Sequence, residues 1–321
     1  MRMIFFGTSS FAIPALEALV NAGYEIPLVI TTPGDSPIKS AAEKLGLNVI
    51  QPESLKDPAI VHSLSAISSS LGLVASYGKI IPQWLIEKFP RGLLNIHPSL
   101  LPKYRGPSPI QSALLNGETE TGVSVMLIDA EMDHGPILAA EKTTIDSSEY
   151  NIQLSGRLFK IGGELLVRVL PDYLTGKLIP QPQDHSQATF TRKFTPEDGK
   201  IDWQKSAREI YNQIRALNPE PGTFTLLNSR SDNLTGWTSN ILKITKANLS
   251  TSDVERLAAG QIIKDGKTLL ASTGNGPLEI LELQPAGKKP MSARDFRNGY
   301  RGNWPIQCGW FIRLSSYNRL Y

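Results

Sequence analysis

Residues 93–138 read LLNIHPSLLPKYRGPSPIQSALLNGETETGVSVMLIDAEMDHGPIL. The opening Leu93-Leu94-Asn95-Ile96-His97 is a short apolar run, interrupted at alternate positions by two polar residues and stopped by Pro98. Side chains two apart on a strand point to the same face, so Asn95 and His97 project together. Proline has no N–H to give to a sheet ladder, so the strand ends there. In an open parallel sheet the carboxyl ends of the strands open onto the ligand crevice. A polar pair on one face at such an end, followed by a proline- and glycine-rich loop, marks a candidate site. The competing reading is a hydrogen-bonded core histidine beside a turn asparagine; the Asn-x-His pairing and the loop favour the site. Asp129 and Asp133 follow the next strand, and Gly135-Pro136 then turns the chain. An aspartate there commonly caps its own turn. Alternatively Asp133 faces Asn95 and His97, where a carboxylate orients an imidazole and favours its charged form. Both accounts of Asp133 stand at this point.

Outward from this stretch, residues 1 to 175 alternate strand-like and helix-like segments. Strands are expected at Met3–Phe6, Ile26–Thr31, Leu47–Ile50, Leu71–Ala75, Val123–Ile128 and Ile137–Thr143. Helices are expected at Ile13–Ala22, Ile38–Leu45, Ile60–Ser68, Pro82–Phe89, Pro109–Leu115 and Tyr150–Leu174. That alternation predicts an α/β domain with a doubly wound, mainly parallel, Rossmann-like sheet. The first strand runs into Gly7-Thr8-Ser9-Ser10, with no G-x-G-x-x-G and no Walker lysine, so a dinucleotide site is not expected. The turn can still offer backbone amides to an anionic or carbonyl group.

The whole chain, at 321 residues, favours two domains. No apolar run approaches the roughly 18 residues of a membrane span. The first residues read as a buried strand and not as a leader segment, so a cytoplasmic protein is expected. One cysteine, Cys308, leaves no disulfide framework, and His62, His97, His134 and His185 show no zinc spacing. No metal is expected. A net charge of +3 permits a nucleic-acid partner without indicating one.

The second half begins with a proline- and glutamine-rich stretch, Ile179 to Ala188, that continues through Lys193 and reads as a linker or surface strap. Ala207–Leu217 is amphipathic and helical. Strand-like runs follow at Thr223–Leu227, Ile241–Ala247, Gly260–Lys264, Thr268–Thr273 and Leu278–Gln284, and five short strands suggest a small open barrel. Arg208, Arg215, Lys243, Lys246, Lys264, Lys267, Lys288, Lys289, Arg294 and Arg297 make this half basic. Scattered lysines are usually solvated faces, but on such a barrel they suit phosphate tracking. The expected division is a catalytic domain over 1–178, a linker over 179–200, the barrel over 201–303, and an unpatterned extension over 304–321.

The segment Asn95-Ile-His97-Pro-Ser-Leu-Leu-Pro-Lys-Tyr-Arg-Gly106 resembles the signature of the folate-dependent formyltransferases. Gly122-Val-Ser-Val-Met126 and Met132-Asp133-His134-Gly135-Pro136 resemble it too. Three further segments point more narrowly, to the branch of that family acting on initiator methionyl-tRNA. These are Ile4-Phe-Phe-Gly-Thr8, Gly106-Pro-Ser-Pro-Ile-Gln111, and Arg215-Ala-Leu-Asn-Pro219 with Pro221-Gly222. The resemblance implies 10-formyltetrahydrofolate as formyl donor, initiator methionyl-tRNA as acceptor and partner, and a barrel of the oligonucleotide-binding (OB) type. It implies that Asn95 and His97 donate to a tetrahedral oxyanion and that Asp133 orients His97 and helps remove the amine proton. It implies that folate lies by Ser76-Tyr77-Gly78 and the loop Ser99, Leu100, Leu101, Pro102, Tyr104, Arg105 and Gly106, with Gly7 and Thr8 at the neighbouring turn. The chain is expected to act as a monomer.

Departures from the family are local. Members usually carry a longer, glycine- and lysine-rich loop after the second strand; here Thr31–Ile38 is short, with no arginine and no lysine before Lys39. Position 134, often threonine, is His134, and Glu220 stands where tryptophan is common. The family normally ends near Arg301, so Trp304 to Tyr321 runs beyond it.

Overall fold

The computed structural model describes residues 1–227, 240–252, 257–300 and 304–308; the expected extension beyond Cys308 lies outside the described residues. The chain divides into two compact units, Met1–Ala113 with Glu118–Lys193, and Leu114–Gly117 with Phe194–Tyr321.

The first unit runs β1 (Arg2–Gly7), α1 (Ile13–Asn21), β2 (Glu25–Ile30), α2 (Pro37–Lys44), β3 (Val49–Ile50), α3 (Pro58–Ala66), β4 (Leu71–Ala75), α4 (Gln83–Glu87) and β5 (Leu93–His97). It continues with α5 (Pro109–Leu115), then β6 (Glu120–Leu127), β7 (Ile137–Thr144) and α6 (Asn151–Leu174). The sheet order is β3-β2-β1-β4-β5-β6-β7. Strands β1 to β5 pair in parallel, and β6 is antiparallel to both β5 and β7. The expected mainly parallel sheet with helices on both faces is observed.

Alternation along β5 explains how the site is built. Leu93 packs in a cluster with Ile4, Phe6, Leu28, Ile30, Val74 and Phe89, capped by Leu64 of α3 and Leu85 of α4. Asn95 and His97 continue that row, so the same face turns from apolar to polar as the strand runs past its helical cover. Ile96 points the other way, toward α6, where a Cβ on Gly162 would come within 2.4 Å of its Cγ2 and 3.0 Å of Val123 Cγ1. Gly163 makes the same close approach to the Ala15 backbone of α1. Gly162→Val is expected to cost about 1–3 kcal/mol through overpacking, read as a lowered Tm in thermal melts, because Ile96 is β-branched on a central strand and has little room to turn.

The second unit holds α7 (Ala207–Leu217), β8 (Phe224–Leu226), β9 (Ile241–Leu249), β10 (Gln261–Asp265), β11 (Thr268–Ser272), β12 (Pro277–Pro285), β13 (Met291–Ser292), α8 (Ala293–Gly299) and β14 (Ile306–Gln307). Helix α7 starts where expected because Ser206 and Glu209 form a reciprocal capping box. All pairings in the order β14-β10-β11-β12-β9-β8 are antiparallel, with β13 on β12. An antiparallel bridge between Leu227 and Cys308 joins the two edge strands, so the sheet closes on itself, which removes exposed edges. Residues 304–308 were expected to be unpatterned, yet they supply β14. A two-residue strand is too short to show a period. No described helix is long and apolar enough to cross a membrane.

Candidate active site

Three non-glycine residues have positive φ among the described residues: Ser76 (47°), Tyr104 (61°) and Asp133 (49°). All three lie at the carboxyl edge of the central strands or in the loops that cover it. Such backbone is unfavourable for residues bearing a Cβ, and it gathers where the surroundings over-determine geometry, often at functional sites.

His97 ends β5 with its ring 5% exposed, and its Nδ1 stands 3.6 Å from Asp133 Oδ2. Its Nε2 is 3.0 Å from the carbonyl of Tyr104. A carbonyl only accepts, so Nε2 carries a proton and donates. The nitrogen turned toward Asp133 is therefore Nδ1. Asp133 Oδ2 also accepts from the Gly106 N–H at 2.7 Å. The Asp133 carboxylate thus reaches across to the 98–106 loop and the His97 ring. Asn95 is half-buried, two residues before His97 on the same row, and its amide makes no hydrogen bond among the described residues.

The loop after β5 is pinned from below and from outside. Ser124 of β6, opposite His97 in register, accepts from Leu101 N at 3.1 Å and donates to the Ser99 carbonyl at 2.8 Å. Ser99 Oγ donates to the Lys103 carbonyl, and Leu100 lies over Gly122, where a Cβ would meet its Cδ2 at 2.4 Å. Outside, residues 181–191 run along the loop. Thr189 donates from its amide to Pro102, and its Oγ1 and carbonyl accept from Tyr104 N and Arg105 N. Thr191 Oγ1 accepts from Ser108 N. A Cβ on Gly106 (φ 107°) would meet the Thr191 carbonyl at 2.8 Å, so that position needs glycine on two counts. The Tyr104 hydroxyl donates to Glu118 at 2.6 Å. The Arg105 guanidinium is buried and bonds to Gln183 and His185.

The remaining expected residues sit on the same edge, at the ends of β1 and β4, where Gly7 pairs with Ala75. The Thr8 amide donates to the Ser76 carbonyl at 3.1 Å, and the Ser9 and Ser76 hydroxyls are 2.7 Å apart. The short Thr31–Ile38 loop is tied to this turn: Ser36 Oγ bonds Thr31 Oγ1 and donates to the Thr8 carbonyl. A Cβ on Gly78 would meet nothing within 4 Å. Thr8 Oγ1 and the Tyr77 hydroxyl are buried with no hydrogen-bond partner. Burial pushes the Tyr77 phenol up from 10.0 to about 12. Because the folded state holds that proton more tightly, its contribution to stability is full below pH 10 and is lost as pH rises toward about 12. Denaturant melts of the unliganded Tyr77→Phe protein, which loses the orphaned hydroxyl, are expected to show stability at or above the parent at pH 8 and a wider margin over the parent at pH 11.

Gln183, His185, Thr189, Thr191, Ser124 and Glu118 were not expected at the site. Ser124 lies within the Gly122–Met126 motif and could have been suspected; the strap residues carry no local signal.

Comparison with known proteins fixes the class. Residues 1–170 match the family described as Formyl transferase, and residues 193–301 match Formyl transferase, C-terminal domain. The chain belongs to the formyl transferase family. It is 44% identical over 303 residues to a methionyl-tRNA formyltransferase of Chloroflexus aurantiacus, covering 91% of this chain and 94% of that protein. It is 41% identical over 312 residues to a methionyl-tRNA formyltransferase of Roseiflexus sp. (strain RS-1), covering 94% of this chain and 93% of that one. Among solved structures, an N-formyltransferase from Helicobacter canadensis, in complex with folinic acid and dTDP-3-aminofucose, shares the fold with a TM-score of 0.65 at 20% identity, covering 87% of this chain and 97% of that one.

Proposed function

We propose that this chain transfers the formyl group of 10-formyltetrahydrofolate to the α-amino group of methionyl-initiator tRNA. The observation that carries the acceptor is likeness over nearly the full length, through both units, to methionyl-tRNA formyltransferases. The chemistry is supported by the meeting of His97, Asp133 and Gly106 beside the unengaged Asn95 amide.

In this reading Asn95 and a protonated His97 Nδ1 donate to the formyl oxygen as it gains charge under attack by the amine, each worth about 3–4 kcal/mol in comparable sites. Asp133 orients the His97 ring and takes the amine's proton, directly or through one water, and passes it to N10 of the donor as the bond between that nitrogen and the formyl carbon breaks and tetrahydrofolate leaves. With Nε2 held by Tyr104, the ring cannot swing away during the step. No side-chain nucleophile is needed; Cys308 lies buried in the other unit. Gly7, Thr8, Ser76, Tyr77 and Gly78 with the Ser99–Gly106 loop hold the donor. The two orphaned hydroxyls, Thr8 Oγ1 and Tyr77 OH, suit a polar heterocycle, since a buried hydroxyl without a partner is costly until a ligand supplies one.

The barrel unit serves the tRNA. Arg215 is buried against Asn212, Lys246 pairs with Glu282, and Lys264 stands over the Trp304 ring. Arg208, Lys243, Lys267, Lys288, Lys289 and Arg294 are exposed and form no ion pair among the described residues, which leaves them to phosphates. The test is acceptor choice: labelled 10-formyltetrahydrofolate offered with Met-tRNA, with amino-sugar nucleotides, and with no acceptor. Label is expected on Met-tRNA. Transfer to the sugar nucleotide alone, or formate release without acceptor, would overturn the reading.

A further inference from the structure

Asp133 needs more than His97 and Gly106 to keep its place, because its backbone is left-handed without glycine's freedom. Gln183 meets that need from 50 residues away in sequence. Its Nε2 donates to the carbonyls of both Asp133 (2.9 Å) and Gly135 (2.8 Å), gripping the turn on either side of His134. Its Oε1 accepts from Arg105 Nε (3.1 Å) and Nη2 (2.7 Å). Arg105 is the neighbour of Gly106, whose N–H holds the Asp133 carboxylate. The contacts thus form a closed ring, from carboxylate to Gly106, Arg105, Gln183 and back to the Asp133 carbonyl. Gln183 is 6% exposed and Arg105 3%. Two residues on, His185 Nδ1 accepts from Arg105 at 2.8 Å and its ring stacks on His134 at 4.0 Å, closing the outer side.

We propose that Gln183 is a positioning residue for the reaction: it sets the Asp133 backbone so that the carboxylate faces His97, and Arg105 holds Gln183 in turn. This gives the buried Arg105 guanidinium a role in the protein's own scaffold, beside the donor-holding role of the loop that carries it. The proposal rests on the proton-removing role of Asp133, and a misplacement of about 1 Å at such a group can cost on the order of 10²-fold in rate.

Gln183→Leu removes both donors and the acceptor at nearly constant volume. We expect kcat for Met-tRNA formylation to fall about 10–100-fold, with KM for donor and acceptor within about twofold of the parent. The deciding comparison is a cycle with Asp133→Asn. If Gln183 works through Asp133, the double variant is no slower than Asp133→Asn alone. Losses that multiply in the double variant would overturn the proposal. So would a Gln183→Leu kcat within twofold of the parent while Asp133→Asn is slow. Should Gln183→Leu not fold, Gln183→Glu keeps a partner for Arg105, still lacks the two donors, and is read the same way. An Asp133→Asn protein at parental rate would instead remove the role of Asp133 itself, a separate failure visible without any change at Gln183.

Discussion

His97→Ala is expected to lower the rate of formyl transfer to Met-tRNA by about 10²–10³-fold, the usual loss for one oxyanion donor. Binding of the tRNA should stay near that of the parent, because the ring is buried at the end of β5 and the exposed basic residues proposed to meet the tRNA lie in the other unit. Truncation leaves a small cavity and removes the bond to the Tyr104 carbonyl, so Tm should drop as well. His97→Asn separates the two effects, since a shorter amide restores polarity but cannot span from Tyr104 to the reacting centre. Single-turnover formylation and filter binding of the same preparations give the comparison. A His97→Ala protein that kept its full rate would remove the mechanism, and one that lost tRNA binding in step with rate would move His97 from chemistry to recognition.

Asp133→Asn is expected to cost about 10²–10⁴-fold in kcat, the range of a lost general base, with KM little changed. The substitution is clean for structural reasons. Asparagine tolerates the left-handed backbone at φ 49°, and its carbonyl oxygen can keep the hydrogen bond from Gly106. What disappears is the charge and the basicity. Asp133→Ala adds backbone strain and leaves the Gly106 N–H without its partner, so it should lose stability as well as rate, and the pair of variants separates placement from proton transfer. Parental kcat in Asp133→Asn, measured at saturating donor and acceptor, would contradict the assignment.

Much of the fold was legible because the chain punctuates itself. Leu71–Ala75, Pro109–Leu115 and Ala207–Leu217 occupy the spans their patterns predict, the strand between serine-rich flanks and the helices started by a proline or a serine cap. Leu47–Ile50 shrank to Val49–Ile50 because the strand lies at the sheet edge, where only β2 offers partners. Met291–Ser292 and β14 were invisible because two residues cannot show a period, and α8 because its one buried residue, Phe296, makes no apolar stripe. At the site, the alternation in Leu93–His97 gave the Asn95–His97 face directly. It could not give Asp133, whose approach depends on a turn with positive φ and a bond to Gly106 27 residues away. Least legible was Gln183: in a proline- and glutamine-rich stretch nothing local distinguishes the buried glutamine from Gln181, which is exposed. Its meaning comes from Arg105, 78 residues earlier.

The most direct test is single-turnover formylation of methionyl-initiator tRNA by the intact chain, with 10-formyltetrahydrofolate labelled in the formyl group, run beside Asp133→Asn. The account predicts label on the α-amino group of the esterified methionine, at a rate that drops at least about a hundredfold in the variant. Label released as formate, label on no acceptor, or equal rates in the two proteins would contradict it.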